Sequence, residues 1–203
     1  YDTIPKLLQD FRRSLPGVNV VLHTMNKAEQ VEALRQRRIT VAFNRMTHPL
    51  PDIGRELVAT EALHAALPVD HALAGADAVT LQQLAQLPHV TFPNVGRPNF
   101  IDRMIELYQR RGFEVTVSQE VGDAITGIAL VARGFGVTLV PESVVRSVTV
   151  AGVCFKPLAD APEATVDLSC MYRATDRSPL LQAFLAVVRA HRATLESGAA
   201  ARA

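Results

Sequence analysis

The stretch that decides the fold is residues 115–143, VTVSQEVGDAITGIALVARGFGVTLVPES. Alternating β-branched residues predict a strand over 115–121, and Asp123 stands where the N-cap of a helix is expected. Residues 124–132 are apolar on nearly every side, so the helix they form is expected to be buried. Gly134 then ends that helix, as glycine commonly does at a helix C-terminus.

A second apolar strand is predicted over 137–140 and ends at Pro141. Strand, helix and strand within about thirty residues form a βαβ unit, and its two strands are therefore parallel. Parallel sheets are covered on both faces, which predicts an α/β protein. In open sheets of this kind ligands bind beyond the carboxyl ends of the strands, and the turn 121–123 is such a place.

The first part of the chain shows a similar order of elements. Apolar spacing predicts a helix over 3–13, alternation predicts a strand over 18–25, and helical spacing returns over 27–38. A short buried strand over 39–43 follows. The four elements form a second α/β unit, whose first strand is expected upstream of residue 1.

The rest of the chain alternates short elements with loops. Extended segments are predicted over 53–59, 62–69, 153–158 and 165–172, helices over 80–87, 99–111 and 178–195, and a strand over 90–92. The tail 198–203 is expected to be disordered.

Length and composition bound the possibilities. The 203 residues can bury one large core or two small ones. A net charge of +1 gives no general basic surface for nucleic acid or membrane. No apolar run approaches the ~20 residues that span a bilayer. Cys154 and Cys170 are expected to be free thiols, and the chain is expected to be an excised piece of a longer protein.

Catalytic and metal-binding motifs are absent from the sequence. Gly122 and Gly127 have Walker spacing, but Ile128 and Ala129 stand where lysine and serine would be needed. The six histidines never pair at ligand spacing. We therefore expect no metal, no cofactor and no enzyme, although a catalytic site assembled across the chain stays open as an alternative.

Anion binding is better supported. The helices that start near Lys27, Asn99 and Asp123 are candidates to face one crevice, and helix N-termini hold small anions. A cation in the first helical turn is unfavourable for the helix itself, so Lys27 is either an anion ligand or a solvated lysine. Arg45 ends a buried strand and is either a ligand clamp or part of an interdomain ion pair.

Four segments of the sequence carry a family resemblance. They are 34–45 (LRQRRITVAFNR), 61–73 (EALHAALPVDHAL), 92–93 (FP) with 97–100 (RPNF), and 131–141 (VARGFGVTLVP). Together they resemble the LysR-type transcriptional regulators, and in particular the subgroup that controls benzoate, muconate and chlorocatechol degradation. The resemblance extends over about residues 1–175.

The resemblance implies an effector-binding domain with the periplasmic-binding-protein-like (type 2) fold. Two Rossmann-like α/β subdomains, 1–61 plus 165–203 and 62–164, would be joined by two crossover strands. It also implies a cytoplasmic homodimer or homotetramer that contacts DNA only through an N-terminal winged helix-turn-helix domain absent from this chain. Helices 27–38 and 99–111 could supply an antiparallel dimer.

The resemblance further implies a small, anionic effector, such as a carboxylate, held between the subdomains so that their relative angle changes. The positions that match that site are Lys27, Phe43, Arg45, Pro98, Asn99, Phe100 and Ala124. Taken alone, Asn99 favours a capping role, and Phe43 and Phe100 favour core packing. Lys27 replaces a small hydroxyl residue of that branch, and Ala59 replaces the arginine of its second, benzoate-type pocket, which is therefore not expected here.

Two other functions share this predicted scaffold. A solute-binding protein of a transporter has the same fold, and a secretion signal in the full gene would favour it, whereas an upstream helix-turn-helix would exclude it. An enzyme on a two-subdomain scaffold would show turnover or a cluster of strongly perturbed pKa values in the cleft.

Overall fold

The computed structural model describes residues 2–46, 48–93 and 96–200. Its helices are α1 (Thr3–Ser14), α2 (Lys27–Arg35), α3 (Leu81–Ala85), α4 (Phe100–Gln109), α5 (Ala124–Val131), α6 (Glu142–Ser147) and α7 (Pro179–Ala200), with a 3-10 turn over Ala72–Gly75. Its strands are β1 (Ala42–Arg45), β2 (Ile53–Pro68), β3 (His89–Thr91), β4 (Val117–Glu120), β5 (Thr138–Pro141), β6 (Val153–Pro157) and β7 (Thr165–Arg173). The α/β class predicted from the sequence is confirmed.

The chain folds as two compact units. The first comprises Tyr1–Thr60 and Asp167–Ala203, and the second comprises Glu61–Val166. Both boundaries fall inside strands, because β2 and β7 each begin in one unit and end in the other. Two strands therefore carry the chain from unit to unit.

The first unit is built on β1, β7 and the first half of β2, which lie side by side in that order. β1 pairs antiparallel with β7, from Ala42 opposite Met171 to Arg45 opposite Leu168. Its hydrophobic core joins α1 and α7 to β2 and β7 and contains Leu7, Phe11, Val58, Ala59, Leu168, Cys170, Leu181, Phe184, Leu185 and Val188. The amphipathic patterns of 3–13 and 178–195 correctly predicted the two helices that cover this core.

The strand predicted over 18–25 is wrong for this structure. Residues 18–26 have no regular secondary structure. Val18 and Val20 are half-buried against the core of the first unit, whereas Val21 and Leu22 are 64% and 67% exposed. Alternation alone does not form a strand, because a strand also needs a neighbour that completes its hydrogen bonds.

The second unit contains the predicted βαβ arrangement. β3 pairs in parallel with β4, and on its other side Val90 N donates to Val137 O at 2.9 Å, just before β5. β4 and β5 are therefore parallel, as predicted, but β3 lies between them. The second half of β2 pairs antiparallel with β5 and with β6.

The core of the second unit packs α3, α4 and α5 against these strands. Its fully buried members include Leu67, Leu81, Leu84, Leu107, Ile128 and Leu139. Gly136 is required where β5 approaches β3, because its φ is 140° and an added Cβ would lie 2.2 Å from the carbonyl oxygen of Pro88.

Several element boundaries differ from the sequence-based expectation. The segments predicted over 53–59 and 62–69 form the single strand β2. α2 ends at Arg35, three residues early, and Arg37 has a φ of 61° that no helix contains. α6 was not predicted at all.

The C-terminal tail also differs from the expectation. α7 reaches Ala200, so the prediction of a disordered tail is wrong for 198–200, and 201–203 lie outside the described residues. In the part of the chain that the structure describes, no helix combines the length and the apolar character needed to cross a bilayer.

Candidate functional site

The candidate site of the first unit lies where α2 starts and β1 ends. α2 begins with a capping box, in which Glu29 N donates to Asn26 Oδ1 at 3.0 Å and Asn26 N donates to Glu29 Oε2 at 2.9 Å. Lys27 is the first residue of the helix, and its Nζ donates to the carbonyl oxygen of Met46 at 2.8 Å. The ammonium group of Lys27 is therefore directed at the chain that leaves β1.

Arg45 occupies the last position of β1, next to the carbonyl that receives Lys27. Its guanidinium nitrogen Nη1 is buried. The neighbouring Asn44 donates from Nδ2 to Oε1 of Gln30 in α2 at 2.9 Å, which ties the strand end to the helix start. Lys27 and Arg45 thus bring two cationic side chains to one end of β1.

Phe43 takes part in the core of the first unit, as one of its two sequence interpretations expected. Its ring meets that of Phe184 edge-on, with centroids 6.1 Å apart and planes at 70°. Phe43 also lines a cavity of about 540 Å³ in the same unit. The side chain is therefore only half-buried and keeps one side accessible.

The second unit contributes the start of α4. Asn99 is 6% exposed and caps this helix, because Ile101 N donates to its Oδ1 at 2.9 Å. Its Nδ2 donates to the carbonyl oxygen of Pro93 at 2.9 Å. Asp102 completes a capping box by accepting from Asn99 N at 2.6 Å. Asn99 therefore anchors the chain before α4 as well as capping the helix.

The start of α5 lies against the same aromatic side chain as the start of α4. Phe92 stacks on Phe100, the first residue of α4, with centroids 5.9 Å apart and planes at 23°. An added Cβ on Gly127 in α5 would lie 2.6 Å from the Phe92 ring. Ala124, the first residue of α5, is buried, and Pro98 is exposed. Two predicted helix starts are thus brought together around one ring.

The two units differ in the charge that they place at these helix starts. The Arg97 guanidinium holds the pKa of the Asp102 carboxyl below its usual range, and the Thr126 backbone N–H does the same for the pKa of Asp123. Both carboxylates are therefore ionised at neutral pH. In the first unit, the start of α2 and the end of β1 carry the cationic residues Lys27 and Arg45.

The family model of the LysR substrate binding domain matches residues 1–193. The chain belongs to this family. The resemblance seen in the sequence, the periplasmic-binding-protein-like fold and the function of an effector-binding domain of a LysR-type regulator are confirmed.

Named relatives of this LysR domain are transcriptional regulators. The chain is 38% identical over 189 residues to the HTH-type transcriptional regulator TfdS of Cupriavidus pinatubonensis, covering 93% of this chain and 63% of TfdS. The chain thus spans less than two thirds of the length of that relative. These relatives give no support to the alternative of a transporter's solute-binding protein.

Solved structures agree with the fold. Full-length CbnR in complex with its target DNA is 31% identical, with a TM-score of 0.87 over 94% of this chain and 66% of that chain. The effector-binding domain of BenM with its effector benzoate is 28% identical, with a TM-score of 0.83 over 92% of this chain and 84% of that chain.

Strongly perturbed titratable groups of this LysR domain lie in its cores. Burial lowers the pKa of His89 to about 4 and raises the pKa of Cys170 to about 12. His89 Nε2 lies 2.8 Å from the hydroxyl of Tyr108, whose pKa burial also raises. Among residues 2–46, 48–93 and 96–200, no group of three or more metal-ligating side chains lies together.

Sequence reasoning missed the residues that orient the predicted ones. Gln30 lies one helical turn after Lys27, and this spacing places both on one face of α2. Asn44 and Met46 flank Arg45 in the chain, but only the fold shows that they receive contacts from α2. Phe92 stands in one of the segments that carry the family resemblance, but its contacts with α4 and α5 depend on packing that no local pattern indicates.

Proposed function

We propose that this domain senses a small carboxylate for a cytoplasmic LysR-type transcriptional regulator, and that it is not an enzyme. The observation that carries the proposal is the pair of cations at one end of β1. Lys27 sits in a helical turn that disfavours a cation, and its Nζ reaches across to the carbonyl of Met46, beside Arg45. The effector named for the related BenM domain, benzoate, is a carboxylate.

The proposed effector-contacting residues come from both units. They are Lys27, Phe43, Arg45, Pro98, Asn99, Phe100 and Ala124. Lys27 and Arg45 neutralise the carboxylate, and Arg45 can do so with two parallel hydrogen bonds. Phe43, Pro98 and Phe100 offer apolar surface to the body of the effector, and Asn99 offers its amide. Ala124 is small enough to let a ligand approach the N–H groups at the start of α5.

The proposed regulatory subdomains are 1–61 plus 165–203 and 62–164. Effector binding can change DNA binding only if two conformations of the domain differ in their affinity for the effector. A full switch needs a difference of about 5 kcal/mol in the free energy of effector binding. In the proposed homodimer or homotetramer, that difference reaches DNA through an N-terminal winged helix-turn-helix domain outside this sequence.

Isothermal titration calorimetry with benzoate and with a muconate dicarboxylate tests the proposed site. The domain is titrated as the native chain and as Lys27→Ala and Arg45→Ala. A charge-assisted hydrogen bond contributes about 1.5–3 kcal/mol, so each substitution is expected to weaken binding at least tenfold. Arg133→Ala is the matched control, because this arginine is exposed and follows the far end of α5.

Two results would refute the site. One is binding of a carboxylate with unchanged affinity to both Lys27→Ala and Arg45→Ala. The other is equal affinity for benzamide, which has the ring of benzoate without its charge. Consumption of either carboxylate by the pure protein, followed by NMR, would instead restore the enzyme alternative.

A further inference from the structure

Residues 158–164 connect β6 to β7 in the second unit, and two arginine side chains hold this connection to α4. Arg103 of α4 donates from Nε to the carbonyl oxygen of Thr165 at 3.1 Å and from Nη2 to that of Glu163 at 2.9 Å. Arg111, just after the end of the helix, donates from Nη2 to the Glu163 carboxylate at 2.8 Å. The connection is therefore held by charged donors along the length of α4.

The carbonyls that Arg103 binds flank the point at which β2 and β7 are joined in this unit. Between them stands Ala164, whose carbonyl oxygen accepts from Leu63 N at 2.8 Å. Leu63 belongs to β2, and Thr165 is the first residue of β7. Because β2 and β7 are the two strands that carry the chain from unit to unit, Arg103 grips the backbone where both of them begin to leave the second unit.

Arg103 is suited to this contact by its burial and its shape. Its side chain is only 16% exposed, and its Nη1 donates to Glu106 Oε2 at 3.0 Å, three residues further along the same helix. A planar guanidinium donates in several fixed directions at once, whereas the ammonium group of lysine is a compact point charge. Arg103 therefore forms a defined link between α4 and the junction of the two strands.

The helix that carries Arg103 begins at two of the proposed effector contacts, Asn99 and Phe100. Arg103 N donates to the carbonyl oxygen of Asn99 at 3.4 Å, so Arg103 lies one turn after the N-cap of α4. Rigid secondary elements are among the structures that carry energetic coupling between sites. A displacement of the start of α4 is therefore passed to Arg103 over a single helical turn.

The first unit ties its own effector helix to a crossover strand in a similar way. Arg173 is the last residue of β7, and its Nη1 donates to the carbonyl oxygen of Leu34 at 3.1 Å, near the end of α2. Lys27, another proposed effector contact, is the first residue of α2. In each unit, an arginine thus connects a crossover strand to a helix that starts at a proposed effector contact.

We propose that Arg103 is a positioning residue of the effector response, which relays a change at the start of α4 to β2 and β7. The proposal rests on the proposed function, because it takes Asn99 and Phe100 as effector contacts. Arg103 acts through the backbone and does not touch the effector. When the start of α4 shifts, Arg103 shifts the carbonyls on both sides of Ala164, and the hydrogen bond from Leu63 N to Ala164 O changes with them.

A double-mutant cycle in the full gene product tests this relay without any ligand. Asn99→Ala perturbs the start of α4 and is made in three backgrounds, which are the native protein, Arg103→Met and Arg110→Met. Arg110 is the matched control, because it is the C-cap residue of α4, pairs with the same Glu106 carboxylate and has a side chain that is 64% exposed. Should Arg103→Met fail to fold, Arg103→Lys replaces it, since lysine keeps the charge without the planar fork.

Amide hydrogen exchange at Leu63 is the readout of the cycle. It is expressed relative to exchange at Val90 in β3, so that opening of the whole unit cancels. In the native and Arg110→Met backgrounds, Asn99→Ala is expected to speed the relative exchange at Leu63 by at least about fivefold. In the Arg103→Met background the further change is expected to stay below about twofold, because the link is already broken.

Benzoate and a muconate dicarboxylate separate the relay from the proposed function. Either compound, once bound, is expected to change exchange at Leu63 in the native protein. In Arg103→Met, calorimetry is expected to show a Kd within about threefold of the native value while exchange at Leu63 no longer responds, and a purely structural role of Arg103 would not produce this split. Failure of the native protein to bind either carboxylate would refute the proposed function, and the cycle would still decide the relay.

Two outcomes would overturn the relay. The first is an equal effect of Asn99→Ala on Leu63 exchange in the Arg103→Met and Arg110→Met backgrounds. The second is a response of Leu63 to a bound carboxylate that persists unchanged in Arg103→Met, which would show that the effector reaches β2 by another route.

Discussion

The two units read alike in sequence and differ in how far their backbone is paired. In the second unit, β3 is hydrogen-bonded on both sides, with His89 N donating to Thr116 O at 2.7 Å and Val90 N donating to Val137 O at 2.9 Å. In the first unit, segment 18–25 alternates apolar residues as a strand does, but it has no ladder. Whether a segment forms a strand therefore depends on the segments beside it as much as on its own sequence.

The largest loss of stability is expected from truncating a side chain in the core of the second unit. Ile128 in α5 is fully buried, so Ile128→Ala is expected to lower the free energy of unfolding by about 2–5 kcal/mol. Val31 holds the equivalent position in α2, because Val31 and Ile128 each lie four residues after the first residue of their helix. Val31 is only half-buried. Val31→Ala is expected to cost less than half as much in urea denaturation.

Ile125→Ala is the control for that comparison, because Ile125 lies in the same helix and is 42% exposed. Its effect is expected to stay within about 0.5 kcal/mol, as for surface substitutions in general. A cost at Val31 equal to that at Ile128 would show that the first unit is packed as tightly as the second.

The second prediction concerns the pH dependence of stability that follows from the buried His89–Tyr108 pair of the second unit. Burial lowers the pKa of His89 from 6.5 to about 4, so the stabilising contribution of neutral His89 is complete above pH 6.5 and is lost as the pH falls through 4. At about 1.4 kcal/mol per pKa unit, the loss amounts to about 3 kcal/mol.

Denaturant titrations between pH 7 and pH 4 measure this dependence. His89→Gln is expected to flatten the curve, and His48→Gln, at an exposed position, is expected to leave its slope unchanged. A slope that survives in His89→Gln would assign the pH dependence to other groups.

The third prediction compares helix caps in the two units. Asn99 and Asn26 both cap helices through capping boxes, but Asn99 is 6% exposed and Asn26 is exposed. Loss of a cap costs about 0.5–2 kcal/mol. We expect Asn99→Ala near the top of that range, because the carbonyl of Pro93 also loses its partner from Asn99 Nδ2, and Asn26→Ala near the bottom. Thermal unfolding of both variants decides the order.

The smallest effect is expected in segment 18–25. In the 203-residue chain, Leu22→Ser is expected to change stability by no more than about 0.5 kcal/mol, because the side chain is 67% exposed. Urea denaturation of the native chain and of the variant measures the change. A loss of stability clearly above this range would show that Leu22 packs against the rest of the first unit.

The sequence predicted the helices and strands of the fold better than it predicted which strands lie side by side. Residues 115–143 gave the parallel βαβ unit correctly, but nothing local to them says that β3 lies between β4 and β5. Strand order depends on pairing between distant segments, and register with a remote strand leaves no periodic signal. Segment 18–25 failed for the same reason, because its alternation describes side chains and not the hydrogen-bond partners of its backbone.

The candidate site was predictable in its chemistry and not in its contacts. The unfavourable position of Lys27 in a first helical turn marked it as unusual. Its contact with Met46 depends on a backbone φ of 57° at that residue, which no pattern in the sequence indicates. The seven proposed effector contacts therefore remain predictions.

Gly127 makes the starts of α4 and α5 mechanically interdependent. Because an added methyl group at this position would press on the Phe92 ring, and Phe92 lies face to face with Phe100, a push on α5 is relayed through two rings to α4. A change as small as Gly127→Ala would then shift the start of α4 as well as that of α5. The two helix starts therefore cannot be altered independently at this contact, because a single methyl group at Gly127 bears on both.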